Sequence, residues 1–180
     1  MVETSSISSD FDPRKIGVIQ DDNSSVDADG GDIVQFVSFK VGDSEYCVDI
    51  MAVREIKGWA EVTDLPNTPE FVRGVLNLRG IIVPIFDLRC RFGQGLTECT
   101  ALHVMIILQV EDRIMGILVD AVSDIITVNT NEILPAPTLD KKSEQKFISG
   151  LMTVQERMVA LLEIEKLFDL ETIVEAAIEE

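Results

Sequence analysis

The stretch Gly74-Val75-Leu76-Asn77-Leu78-Arg79-Gly80-Ile81-Ile82-Val83-Pro84-Ile85-Phe86 decides the fold class. Two strongly apolar runs flank Asn77-Leu78-Arg79-Gly80. Rich in Val, Ile and Leu, they suit a pleated, buried surface and read as strands. Gly80 supplies the positive φ that a tight turn wants. The same texture extends outward. Ile33–Phe39 and Glu45–Asp49 flank the turn signal Val41-Gly42-Asp43-Ser44. Val53–Ile56, His103–Val110, Ile114–Val119, Ile125–Val128, Ile148–Val154 and Arg157–Leu162 are further short β-type runs broken by Gly, Pro, Asn and Asp. Short strands with close turns predict small barrels rather than a βαβ fold. Two short helical turns are expected, near Pro69–Phe71 and Asp87–Phe92.

A repeat divides this run of strands. At an offset of 69, Val41 meets Val110, Asp43 meets Asp112, Ala52 meets Ala121, Val53 meets Val122 and Ile56 meets Ile125. After an insertion the offset becomes 76, and Phe71 and Gly74 meet Phe147 and Gly150. The expected architecture is mainly β, with two copies of one small barrel packed around a shared apolar seam, because so small a unit buries little alone. The expected boundaries are a disordered acidic leader over 1–31, a first barrel over 32–98, a second over 99–162, and an acidic C-terminal helix over 163–180. Exchange of a strand between the barrels stays open. The formal charge of −17 splits into −5 in the leader, −6 in the middle and −6 in the C-terminal segment.

That balance argues against a nucleic-acid or anionic-membrane binder, which needs clustered Lys and Arg. No apolar run approaches the ~20 residues of a membrane helix, and no signal peptide is visible. Cys47, Cys90 and Cys99 are odd in number and lack a Cys-x-x-Cys, so neither a disulfide framework nor a metal site is expected. His103, alone in an apolar run, reads as structural. No phosphate loop or nucleophile elbow occurs, so catalysis finds no motif. Asp87 reads as a helix cap.

Three features remain for recognition. Arg79 reads either as a solvated turn residue or as a cation over the seam, with Glu55 as its candidate partner. The repeat-equivalent Val53 and Val122, with Ile56 and Ile125, read either as core or as the lining of a groove suited to an amphipathic helix. Leu134-Pro135-Ala136-Pro137-Thr138-Leu139 is a stiff segment with Leu139 at the surface.

The long motif Phe71–Arg89 resembles the signature of the CheW family of bacterial chemotaxis coupling proteins. Tyr46–Ile50, Val53–Ile56, Gly116–Ile125 and Leu134–Pro137 resemble its other segments, so the likeness covers about 32–168. The resemblance implies two SH3-like five-stranded β-barrels around a hydrophobic seam, with no cofactor and no catalysis. It implies a cytoplasmic adaptor, monomeric alone, that is recruited to membrane receptor clusters and becomes part of receptor–kinase arrays. Its partners would be the helical cytoplasmic tip of methyl-accepting chemoreceptors and the regulatory domain of a CheA-type histidine kinase. By position, Val53, Glu55, Gly74, Arg79, Gly116, Val122 and Ile125 match the receptor-binding groove. Leu134, Pro135 and Leu139 match the edge facing the kinase. The rival readings are a like adaptor in another chemosensory kinase pathway, such as surface motility, and a small enzyme using a carboxylate pair in the groove.

Overall fold

The computed structural model describes residues 31–136 and 145–167. The expected leader up to Gly30, Leu139, and the expected helix beyond Leu167 lie outside the described residues. Among the described residues the fold is mainly β. The strands are β1 (Ile33–Val41), β2 (Ser44–Asp49), β3 (Val53–Gly58), β4 (Val72–Leu78), β5 (Ile81–Asp87), β6 (Val104–Val110), β7 (Arg113–Val119), β8 (Ala121–Asn129), β9 (Leu134–Pro135), β10 (Ile148–Val154) and β11 (Arg157–Leu162). Two four-residue helices follow the hairpins, α1 (Leu88–Arg91) and α2 (Ile164–Leu167). The turn expected near Pro69–Phe71 is a single hydrogen bond from Val72 N to Pro69 O rather than a helix. No helix of the described residues is long and apolar enough to cross a membrane.

The strands form two sheets, in the orders β8-β1-β2-β11-β10-β9 and β3-β6-β7-β5-β4. The first has six strands where five were expected, because Leu134 and Pro135 pair with Leu151 and Gly150 and so add the short edge strand β9. Under the sequence repeat, β1, β2, β3, β4 and β5 correspond to β6, β7, β8, β10 and β11. The two five-strand orders are then the same. The first hairpin of each copy pairs with the later strands of the other. The joints are two parallel pairs, β2 with β11 and β5 with β7. Each sheet therefore draws strands from both sides of the 98/99 boundary, by reciprocal exchange of hairpins.

Exchange leaves the central strands covered on both faces, which is why they read as near-continuous apolar runs. Along β6, Met105 and Ile107 join one cluster with Val83, Ile85 and Leu118, while Ile106 and Leu108 face a different one. That second cluster is the seam. It takes Val37, Phe39 and Val48 from the six-stranded sheet and Ile106, Leu108 and Ile117 from the five-stranded sheet. A third cluster, with Phe36, Cys47, Ile126 and Val159, fills the six-stranded sheet. Period-two alternation thus sends neighbouring residues into different cores.

The five-stranded sheet is rolled. Thr63, beyond β3, exchanges backbone hydrogen bonds of 2.9 and 2.8 Å with Val75 on β4, so its two edges meet.

Candidate functional site

The β4–β5 hairpin turns at Arg79 and Gly80, whose φ values are 54° and 87°. Positive φ at both positions marks the type I′ geometry that matches strand twist. The sequence pointed to Gly80 alone, so the left-handed Arg79 was missed. The Asn77 side-chain carbonyl accepts from Gly80 N–H at 2.9 Å and locks the turn. Arg79 Nη2 donates to Glu55 Oε2 at 3.0 Å, so the expected partner is the observed one. The two residues sit on β3 and at the tip of β4–β5, opposite edges of the rolled sheet. The Arg79 side chain is 79% exposed and that of Glu55 28%. A pair this exposed contributes only about 0–1 kcal/mol to stability. Its effect is to fix where an open guanidinium points.

The other expected groove residues divide. Val53 on β3 and Val122 on β8 are partly buried and pack against the seam cluster, one from each sheet. Ile125 is half-buried on β8, opposite Val37. The β1–β8 register shifts between Ser38 and Phe39, where the buried Ser38 hydroxyl meets both Asp124 O and Asp124 N at 3.1 Å. That bulge re-aims β8 beside Val122 and Ile125. Gly74 and Gly116 are buried and present no surface. At Gly74, with φ of 142°, a Cβ would run into the Thr63 carbonyl. At Gly116 it would meet Ile85 and Ile107 inside the core of the five-stranded sheet. Leu134 and Pro135 are exposed on β9, at the outer edge of the six-stranded sheet.

An open groove of about 600 Å³ contains none of these residues. Phe36, Ala52, Val110 and Ile164 give it apolar walls, and Asp49, Glu111 and Glu165 give it acidic ones.

The polar residues outside the hairpin hold the frame. His103 Nδ1 accepts from Thr100 N–H at 3.0 Å, and Nε2 lies 3.5 Å from Asp120. Asp120 also accepts from Gly42 N–H at 2.7 Å, so the pair links the start of β6 to the β1–β2 turn. Burial pushes the Cys47 thiol up to about 12 and the Cys90 thiol up to about 11, which removes thiolate chemistry from both near neutral pH. No metal-holding group of His, Cys, Asp and Glu occurs among the described residues. Two arrangements escaped the sequence: Asp87 with Thr97 and Arg73, and Arg91 between two phenylalanines. Both rest on contacts between distant residues, and no local pattern signals them.

A family model described as a CheW-like domain matches residues 35–172. The chain is similar to the chemotaxis protein CheW of Rhizobium meliloti, at 46% identity over 134 residues, 74% of this chain and 86% of that one. It is similar to the chemotaxis protein CheW of Klebsiella aerogenes at 42% identity over 137 residues, 76% of this chain and 82% of that one. Among solved structures it is similar to the scaffolding protein TtCheW from Thermoanaerobacter tengcongensis. The TM-score is 0.70 and the identity 31%, covering 76% of this chain and 88% of that chain.

Proposed function

The chain belongs to the CheW-like family, and from that premise we propose that it is a non-catalytic scaffold of chemotaxis signalling that couples receptor tips to a CheA-type histidine kinase. The observation that carries the reading is Arg79. Its guanidinium is held by the I′ turn and by Glu55, yet stays open to solvent at the tip of a rigid hairpin. One donor is spent on Glu55. The rest can meet carboxylates or helix-end carbonyls of a receptor helix while the stem covers apolar surface. Val53 and Val122 at the seam margin, with Ile125, would take the apolar face of that helix.

Leu134 and Pro135, with Leu139, would meet the kinase regulatory domain at the far edge of the six-stranded sheet. The receptor contact would then span β3 of the five-stranded sheet and β8 at one edge of the six-stranded sheet, with the kinase contact at the other edge of that same sheet, all around one seam. A receptor movement felt at β3 and β8 could bias the kinase only if the contacts are energetically coupled through that shared core. The rival enzyme reading needs an enclosed polar pocket. The groove found here is open, with Phe36 and Ile164 among its walls.

The test is Arg79→Asn, because Asn tolerates the left-handed backbone while removing the guanidinium. Co-sedimentation with receptor-bearing membranes should weaken by roughly 30-fold, the cost of losing a central arginine anchor. The thermal midpoint should stay nearly unchanged. Wild-type receptor binding by the folded variant would reduce Arg79 to a turn residue and remove the groove from this reading.

A further inference from the structure

The open groove of about 600 Å³ has a counterpart in the other copy. The repeat offsets of 69 and 76 carry its lining residues Met51, Glu111, Ser149 and Glu163 onto Asp120, Gly42, Arg73 and Asp87. The backbone keeps this correspondence. Glu163 N donates to Phe147 O and Asp87 N to Phe71 O, each at 2.7 Å. Glu111 and Gly42 turn at φ of 53° and 59°. The helices that follow also seat alike. Leu167 is buried in the seam, and its equivalent Arg91 holds Cζ 4.5 and 4.7 Å from the Phe71 and Phe147 ring centroids.

In the first copy this place is filled by the chain that runs from α1 to β6. Thr97 N–H and the Thr97 hydroxyl each donate to Asp87 at 2.7 Å. Arg73 Nη2 donates to Cys99 Sγ at 3.3 Å, and His103 Nε2 lies 3.5 Å from Asp120. A Cβ at Gly42 would come within 2.8 Å of Gln94 Oε1. One loop, 94–103, thus covers all four counterparts. In the second copy, no segment of the described residues takes that loop's place. Asp87 is fully buried, whereas Glu163 is 34% exposed and Met51 86%.

The charge differs as well. Arg73, Arg89 and Gly42 of the filled place become Ser149, Glu165 and Glu111 of the groove. Asp49, Glu111, Glu163 and Glu165 line it with no Lys or Arg. Glu163 is held by Lys166 at 2.7 Å, and Asp49 accepts from Met51 N–H at 2.8 Å. Glu111 and Glu165, both exposed, therefore carry the charge offered to a partner. Beneath them the buried Phe36, Leu162 and Ile164 form an apolar floor. An apolar floor under an acidic rim selects apolar side chains interleaved with Lys or Arg, whose stems cover the floor while their heads reach the carboxylates. The chain's own ends have the wrong sign: 168–180 holds five acids and no base, and 1–31 has a net charge of −5.

We propose that this groove docks an extended basic segment of another protein, about ten residues long, in the place that loop 94–103 fills in the first copy. Extended segments reach such sites with alternate side chains turned to the floor. The groove contains none of the residues assigned to the receptor or to the kinase, so the proposal stands apart from the adaptor reading.

The probe is a fluorescent peptide of about ten residues, alternating Val and Lys, titrated into the full-length chain by anisotropy. Glu111→Lys with Glu165→Lys reverses the rim at two exposed positions and leaves the floor intact. Glu61→Lys with Glu98→Lys makes the same change of net charge outside the groove, which controls for general attraction to an acidic protein. The rim variant should bind the peptide about tenfold more weakly than wild type, and the control variant less than about threefold more weakly, at equal thermal midpoints. A peptide alternating Val and Glu should prefer the rim variant. Equal losses in the two variants would overturn the proposal. So would an absence of binding to wild type up to about 1 mM peptide, or a dimer in sedimentation that the rim variant dissolves, which would give the groove to a second copy.

Discussion

At the scale of single residues, Gly74 shows how one position can be expected for one reason and observed for another. By resemblance it belongs to a receptor groove, yet it is buried under the Thr63 carbonyl at a φ of 142°. Gly74→Ala should therefore destabilise the fold by about 1–3 kcal/mol, measured by denaturant titration. Weaker receptor binding with no loss of stability would instead restore a direct contact role. Glu55 and Arg79 behave differently. Sequence offered Glu55 as a candidate partner, because a carboxylate between Val53 and Ile56 seeks a counter-charge, and the 3.0 Å bond in the structure makes the pair. The left-handed φ of Arg79 was not legible, since only Gly, Asn and Asp advertise that conformation in sequence. The cysteines carry a sign of their own. Burial raises Cys47 to about 12, so the folded state keeps a proton that the unfolded chain loses above about 9. That stability is fully present at neutral pH and drains away as pH climbs from about 9 toward 12.

At the scale of elements, α1 is too short to persist by its own hydrogen bonds and depends on its cap. Asp87 Oδ1 accepts from Cys90 N–H at 3.2 Å, which is the capping role expected of it. The same carboxylate accepts from Thr97 N–H and the Thr97 hydroxyl, each at 2.7 Å, with Arg73 Nη1 at 3.7 Å. It is fully buried. One side chain thus closes the helix and pins the chain that leads toward β6. Asp87→Ala should cost about 3–5 kcal/mol, because it strands buried donors and the Arg73 charge together. A drop below about 1 kcal/mol in chemical unfolding would show that water replaces the carboxylate freely. The cap was readable from Asp87 and the turn after it. Thr97 and Arg73 were not, because their distances in sequence follow no helical or strand period.

At the scale of the whole molecule, exchange of hairpins makes the two sheets one cooperative object. Each sheet contains strands of both copies, and the seam cluster takes side chains from both. Neither copy can keep its own core when the other unfolds. Trp59, the chain's single tryptophan, packs on the core of the five-stranded sheet, so its fluorescence reports that sheet alone. Its unfolding curve in urea should coincide with the far-ultraviolet circular dichroism curve, which averages both sheets. Separate midpoints would mean that the seam does not couple them. Sequence alone carries the strand-rich class, the turn at Gly80 and the two-copy repeat, because each rests on local conformational preference or on self-similarity; it named Glu55 only as a candidate partner of Arg79, and the folded hairpin made the pair. Tertiary structure alone decided which hairpin joins which sheet, that Gly74 and Gly116 serve packing, and that Arg91 lies between Phe71 and Phe147. Period-two alternation states that a strand has two faces. Only the closed fold states which neighbour each face meets.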